Sequence, residues 1–154
     1  MPYLCEPRHL QPQPALTVRR EVPLGEAGPA IVEAFQTVGA YLKRSGVQPA
    51  GETFARFHRV GPDSLDVEVG FTVTRAHPAA APIQSSELPG GDAVSTLHRG
   101  PYERVPEAVA ALEAWMRDHG RRAAGPHWEV YLNGPPDVTD PALYETEVVV
   151  PLAS

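Results

Sequence analysis

A chain of 154 residues, 42% hydrophobic and 21% charged, is long enough for one domain with a real core or two small halves around a shared one, and too short for two ordinary domains. Its 19 acidic and 13 basic residues leave a net charge of −6, and the only adjacent arginine pairs are Arg19-Arg20 and Arg121-Arg122, which disfavours direct nucleic-acid binding and mildly favours cationic ligands. Cys5 is the single cysteine, no Cys/His spacing resembles a zinc site, no apolar run reaches about 18 residues, and the first residues lack a signal-peptide centre. The expectation is a cytoplasmic chain without internal disulfide, structural metal, cofactor or membrane span.

The first predicted element is a strand over Leu16–Val22. A helix follows, carrying Ile31, Phe35, Val38 and Leu42 at the 4, 3, 4 spacing of an amphipathic stripe. Gly46 comes after a basic last turn and suits the left-handed position past a helix end. Two further strands are read over Thr53–His58 and around Asp66-Val-Glu-Val. The segment His77–Pro82 reads as a linker, and the same order then recurs. A strand over Ala93–His98 precedes a helix striped with Val105, Val109, Leu112 and Met116, which stops at Gly120. The strand His127–Leu132 follows, then a long loop Asn133–Pro141, then Glu145–Leu152.

This recurrence is an internal duplication. At an offset of 74, Glu33, Ala34, Ala40, Gly46, Ala50 and Gly51 fall on Glu107, Ala108, Ala114, Gly120, Ala124 and Gly125, and Phe57 falls on Tyr131. After the longer second loop the offset becomes 79, so that Glu68 meets Glu147. The repeats run over about residues 16–76 and 85–152. Two strand-helix-strand-strand units most simply form one antiparallel sheet with both helices on one face, an α+β architecture about a pseudo-twofold axis.

Within the last strand, alternation places Glu145, Glu147 and Val149 on one face and Thr146, Val148 and Val150 on the other. Glu147 lies deeper in the apolar run than Glu145, and an ionised carboxylate is tolerated there only if water, a donor or a cation reaches it. Tyr131 shares its strand face with Glu129 rather than with Trp128 and Val130, and its hydroxyl needs a partner if buried. Tyr102 sits in the Gly-Pro-Tyr-Glu turn that starts the second helix. Trp115 reads as packing, and His98 has no Ser, Cys or Asp at a triad spacing.

In order, His98-Arg-Gly-Pro-Tyr-Glu, Gly125, the strand ending Tyr131-Leu and Thr146-Glu-Val-Val-Val-Pro-Leu resemble the GyrI-like small-molecule-binding domain, also the effector-binding module of multidrug-sensing transcription activators. The resemblance implies a cleft on the pseudo-twofold axis, on the sheet face away from the helices, lined by aromatic rings over an acid. Matched to the family's Thr-Glu-aliphatic pattern, that acid is Glu147, with Tyr131 as the strand aromatic. The implied ligand set is Glu147, Tyr131, Tyr102, Glu145, Phe57, Phe71, Glu68 and Trp128, receiving a lipophilic cation or planar aromatic compound.

Some stand-alone members resemble hydrolases that open cyclopropane-bearing genotoxins, a reading in which Glu147 and Tyr131 are the catalytic pair. A protein partner such as a topoisomerase is the third possibility. Regulators of this type carry a helix-turn-helix ahead of the domain. Only about 15 residues precede the first strand here, so a stand-alone form is expected.

Overall fold

Period-two stretches become strands and the two 4, 3, 4 stripes become helices. The computed structural model describes residues 3–134 and 137–154. Its elements run β1 (Glu6–Leu10), β2 (Gln13–Pro23), α1 (Ala27–Ser45), β3 (Pro49–Val60), β4 (Ser64–Val73), β5 (Gln84–Leu88), β6 (Gly91–Arg99), α2 (Val105–Asp118), β7 (Trp128–Tyr131) and β8 (Glu145–Pro151), with single 3-10 turns ahead of α1, α2 and β8. Pro135 and Pro136 of the long second loop lie outside the described residues. The class is α+β, with antiparallel strand pairing. The chain divides into a unit spanning Gln11–Pro89 and a unit that joins β1 to Gly90–Ser154.

In the first of these, the strand order is β3-β4-β2-β5. Leu16 and Val18 pair with Phe71 and Val69, placing all four side chains on one face, and α1 packs on that face through buried Ala34, Val38 and Leu42. Phe35 meets Phe71 edge-on, with ring centroids 6.5 Å apart. Gly46 ends the helix at φ +68°, where L side chains are strained.

Gly70 is fixed by close approach instead, since a Cβ there would stand 2.0 Å from the Leu16 carbonyl oxygen and 2.8 Å from Thr17 Cα. Both atoms belong to the neighbouring backbone, which cannot rotate away. Gly70→Ala is expected to destabilise the fold by about 3 kcal/mol, read as a fall in the urea midpoint.

In the other unit the order is β1-β6-β8-β7. Val94, Val148 and Val150 form its inner face with Leu152, and α2 covers them with Val105, Ala108 and Leu112, while Val109 and Met116 complete the stripe at its margin. Gly120, at φ +63°, follows the helix as Gly46 does in the first copy.

Two strands go beyond the expected set. β1 and β5 each precede the first strand of a repeat, yet β1 pairs with β6 and β5 pairs with β2. Each repeat therefore lends its leading strand to the sheet of the other repeat. Neither has a strong apolar alternation, and both are short edge strands whose pairing is set by a partner far along the chain.

Candidate functional site

Strand register decides which side chains can meet. β7 pairs with β8 so that Glu129 faces Val148 and Tyr131 faces Thr146, while Trp128 faces Val149 and Val130 faces Glu147. Directly paired residues share a sheet face. Glu129 and Tyr131 thus stand on the side of Val148, which α2 covers, and Glu147 stands on the opposite side.

Three phenol rings form a chain that starts from Tyr131, the partner of Glu129, and runs through Tyr102 to Tyr144. Gly100, at φ +135°, turns the chain after β6 and donates its N–H to the Tyr144 carbonyl at 2.9 Å. That turn sets Tyr102 against Tyr144, with centroids 4.8 Å apart and planes 23° apart, and edge-on to Tyr131 at 5.8 Å and 84°. Gly134 leaves room for Tyr102, because a Cβ there would come within 2.8 Å of its hydroxyl. The second loop is tied down by Asn133, whose Nδ2 donates to the Leu143 carbonyl at 3.1 Å and whose Oδ1 accepts from Glu145 N–H at 2.7 Å. Tyr102 is the outermost ring, 38% exposed, and the exposed side chains of Leu132 and Leu143 adjoin Tyr131 and Tyr144 in the chain.

Electrostatically, Glu129 is the unusual group. Burial pushes its carboxyl up to about 7, against the opposing effect of the Tyr131 hydroxyl, which donates to Oε1 at 2.9 Å. Burial and the nearby Glu129 charge together push the Tyr131 phenol well above its usual range, and burial also raises Tyr102. Among the described residues no Lys, Arg or His pairs with Glu129. Among them, too, no group of three or more His, Cys, Asp or Glu could hold a metal ion, and no helix is long and apolar enough to cross a membrane.

The other expected site residues are placed differently. Glu147 accepts from Arg8 Nη1 at 2.8 Å and Glu145 from Arg99 Nη2 at 2.6 Å, both on the face opposite Tyr131, so a cleft with Glu147 as floor and Tyr131 as wall is not what the register builds. Trp128 is buried on that same opposite face. Phe71 packs under α1, against Phe35 and Gly39. Phe57 faces Val67 in the Gln11–Pro89 unit, on the α1 side.

Glu68, 1% exposed, accepts from Thr17 Oγ1 at 2.8 Å, Arg56 Nη2 at 2.7 Å and His58 Nε2 at 2.8 Å. Burial alone would raise it, but hydrogen bonds from Ser86, His58 and Arg56 outweigh burial and hold it at about 2. It is a saturated structural carboxylate. His98 is structural as well. Its Nε2–H donates to the Pro101 carbonyl at 3.0 Å, which leaves Nδ1 to accept from the Tyr3 hydroxyl at 2.8 Å and fixes the turn before Tyr102.

Glu129 and Tyr144 are the members of this cluster that the sequence reading did not place among the candidate site residues. One signal for Glu129 lies in the duplication. At the offset of 74 its counterpart is Ala55, so an acid stands in one repeat where the other has a methyl group.

The profile of the GyrI-like small molecule binding domain matches residues 5–153. The chain belongs to the GyrI-like family. Small-molecule binding is therefore its coarse function. Among solved structures of this fold, the C-terminal domain of EcmrR superposes with a TM-score of 0.88 at 22% identity, covering 100% of this chain and 99% of that one. In the EcmrR–DNA complex the GyrI-like chain spans 58% of the EcmrR chain. A protein from Listeria innocua described as a hydrolase matches with a TM-score of 0.69 at 15% identity, covering 97% and 91%. SAV2435 bound to tetraphenylphosphonium matches at 0.64 and 14% identity, covering 100% and 95%. No curated protein matches the chain.

Proposed function

We propose that Glu129, with Tyr131, Tyr102 and Tyr144, binds lipophilic aromatic cations. The observation that carries this reading is a carboxyl in apolar surroundings that has a phenol but no counter-charge, whereas Glu68, Glu145 and Glu147 each have an arginine. Holding an ionised carboxylate there is unfavourable until a cation arrives, and the attraction at contact distance is worth several kcal/mol, roughly, at the dielectric of a protein margin. Stacked and edge-on phenols add about 0.5 to 2 kcal/mol each through cation-π contact. Few directional hydrogen bonds are demanded, which fits broad acceptance of aromatic compounds. SAV2435, which shares the fold, is a protein seen with such a cation.

The test is proton linkage. With Glu129 near 7 and largely protonated at pH 6, binding of tetraphenylphosphonium favours the ionised form, so protons leave the protein. Calorimetry at pH 6 in buffers of different ionisation enthalpy is expected to show release approaching one proton, falling towards zero at pH 8.5. Binding without release at either pH would overturn the assignment of the charge to Glu129.

A second reading is favoured by the same carboxyl. A base poised near neutrality and hydrogen-bonded to a phenol suits the activation of water against an electrophilic ring, with Glu129 accepting the water proton and a phenol stabilising the oxygen that gains charge. Incubation with a cyclopropane-bearing alkylator, followed by product mass, distinguishes turnover from binding alone.

A further inference from the structure

Tyr3 stands just ahead of β1, and the register that sets Glu6 opposite Ser95, carried three residues back, brings it beside His98. Thr96 Oγ1 donates to the Leu4 carbonyl at 2.8 Å and holds that extension in place. The Tyr3 and His98 rings lie 25° apart in plane with centroids 6.0 Å apart, and the phenol donates to Nδ1 at 2.8 Å. Burial and, after it, the charge of Glu107 raise the Tyr3 phenol, so its proton stays available for that bond. On the other side of the imidazole, Nε2–H donates to the Pro101 carbonyl at 3.0 Å, and the same carbonyl accepts from Arg104 N–H at 3.1 Å as the chain enters α2. A Cβ on Gly100 would lie 3.7 Å from His98 Nε2, so the turn rests against the imidazole edge. Gly100 ties that turn to the Tyr144 carbonyl, and Tyr102, two residues on, stacks on the Tyr144 ring. The His98 imidazole, 3% exposed, is thus held between Tyr3 and the turn that carries the outermost ring of the ligand site.

We propose that Tyr3 is a positioning residue of the ligand site: through His98 it fixes the Pro101 carbonyl and, with it, the place of the Tyr102 ring against Tyr144 and Tyr131. This rests on the reading of Glu129 and the three tyrosines as the ligand site. Tyr3 acts without touching the ligand. Removing its hydroxyl leaves Nδ1 a buried acceptor without a donor, so the imidazole turns to find one and its bond to Pro101 weakens. The turn on Gly100, at φ +135°, then loses one of its two ties, and Tyr102 no longer waits in the stacked place that a cation meets.

The experiment titrates tetraphenylphosphonium into the wild type, Tyr3→Phe, Tyr102→Ala, the double variant and Glu129→Gln. Tyr3→Phe keeps the ring, loses the hydroxyl, and is expected to weaken binding roughly three- to tenfold, the worth of one hydrogen bond. In the Tyr102→Ala background the same change is expected to alter affinity by less than about twofold, because the ring it positions is gone. An unchanged affinity in Tyr3→Phe, or an equal loss in both backgrounds, would leave Tyr3 a structural role only and overturn the proposal, whatever happens to the thermal midpoint. If that occurs while Glu129→Gln still weakens binding, the ligand site stands without Tyr3. If the wild type does not bind the probe, the reading of the ligand site fails, and nuclear Overhauser contacts between the Tyr102 and Tyr144 rings decide the positioning separately. Their loss in Tyr3→Phe supports it, and their survival unchanged overturns it.

Discussion

Glu129→Gln is expected to weaken tetraphenylphosphonium binding at least tenfold at pH 8 and, at the same pH, to stabilise the unliganded protein. The two effects have one cause. The Glu129 carboxyl titrates at about 7 in the folded chain and at 4.5 when unperturbed. A group whose folded value is raised contributes its stability below the unfolded value and loses it as the pH climbs through the folded one. Between pH 4.5 and 7 the wild type therefore surrenders about 3 kcal/mol, since each unit of difference is worth about 1.4 kcal/mol. Gln has nearly the same shape and no charge to lose. Urea unfolding should show the variant level with the wild type at pH 4 and more stable by a few kcal/mol, roughly, at pH 8. Binding runs the other way, because the charge that strains the empty site is the one that meets the cation. A variant that lost affinity without gaining stability at pH 8 would mean that the carboxylate is well solvated in the free protein.

The second large effect separates two acids that occupy equivalent places in the repeats. Glu68→Gln is expected to cost about 3 to 5 kcal/mol, because Arg56 and His58 are mostly buried and lose the carboxylate on which their hydrogen bonds converge. Glu147→Gln should cost at most about 1 kcal/mol, its arginine partner being 41% exposed and free to take up water. Acid sharpens the contrast. Glu68 is held at about 2 against 4.5 unperturbed, so its contribution is complete above pH 4.5 and is lost as the pH falls through 2. A wild type that loses stability steeply below pH 4.5, beside a Glu68→Gln variant that does not, is the expected result in equilibrium unfolding. Near-equal costs for the two substitutions at pH 7 would show that water reaches the Glu68 network.

The helices could be read directly, because a stripe at 4, 3, 4 with a glycine past its end depends only on neighbours in the chain. The parity that groups Glu129 with Tyr131 was equally legible in β7. What strand alternation could not reveal is whether an acid finds a base across the sheet. Arg8, which neutralises Glu147, is 139 residues away from it in sequence. The Thr-Glu-aliphatic pattern draws attention to Glu147, which an arginine pairs, whereas among the described residues Glu129 has a phenol and no base. Tyr144 went unread for a related reason, since its stacking on Tyr102 depends on Gly100 reaching the Tyr144 carbonyl.

The lending of leading strands has a consequence for how the chain is made. β1 leaves the ribosome ahead of its partner β6, which begins only at Gly91, so that at ordinary translation speeds β1 waits roughly 4 to 16 seconds for its pairing. During that interval Gln11–Pro89 can close on itself, as a continuous stretch of chain, while β1 remains an unpaired edge. Its sequence, Glu-Pro-Arg-His-Leu, places a proline and two charges where a neighbouring nascent chain would otherwise find a strand to join.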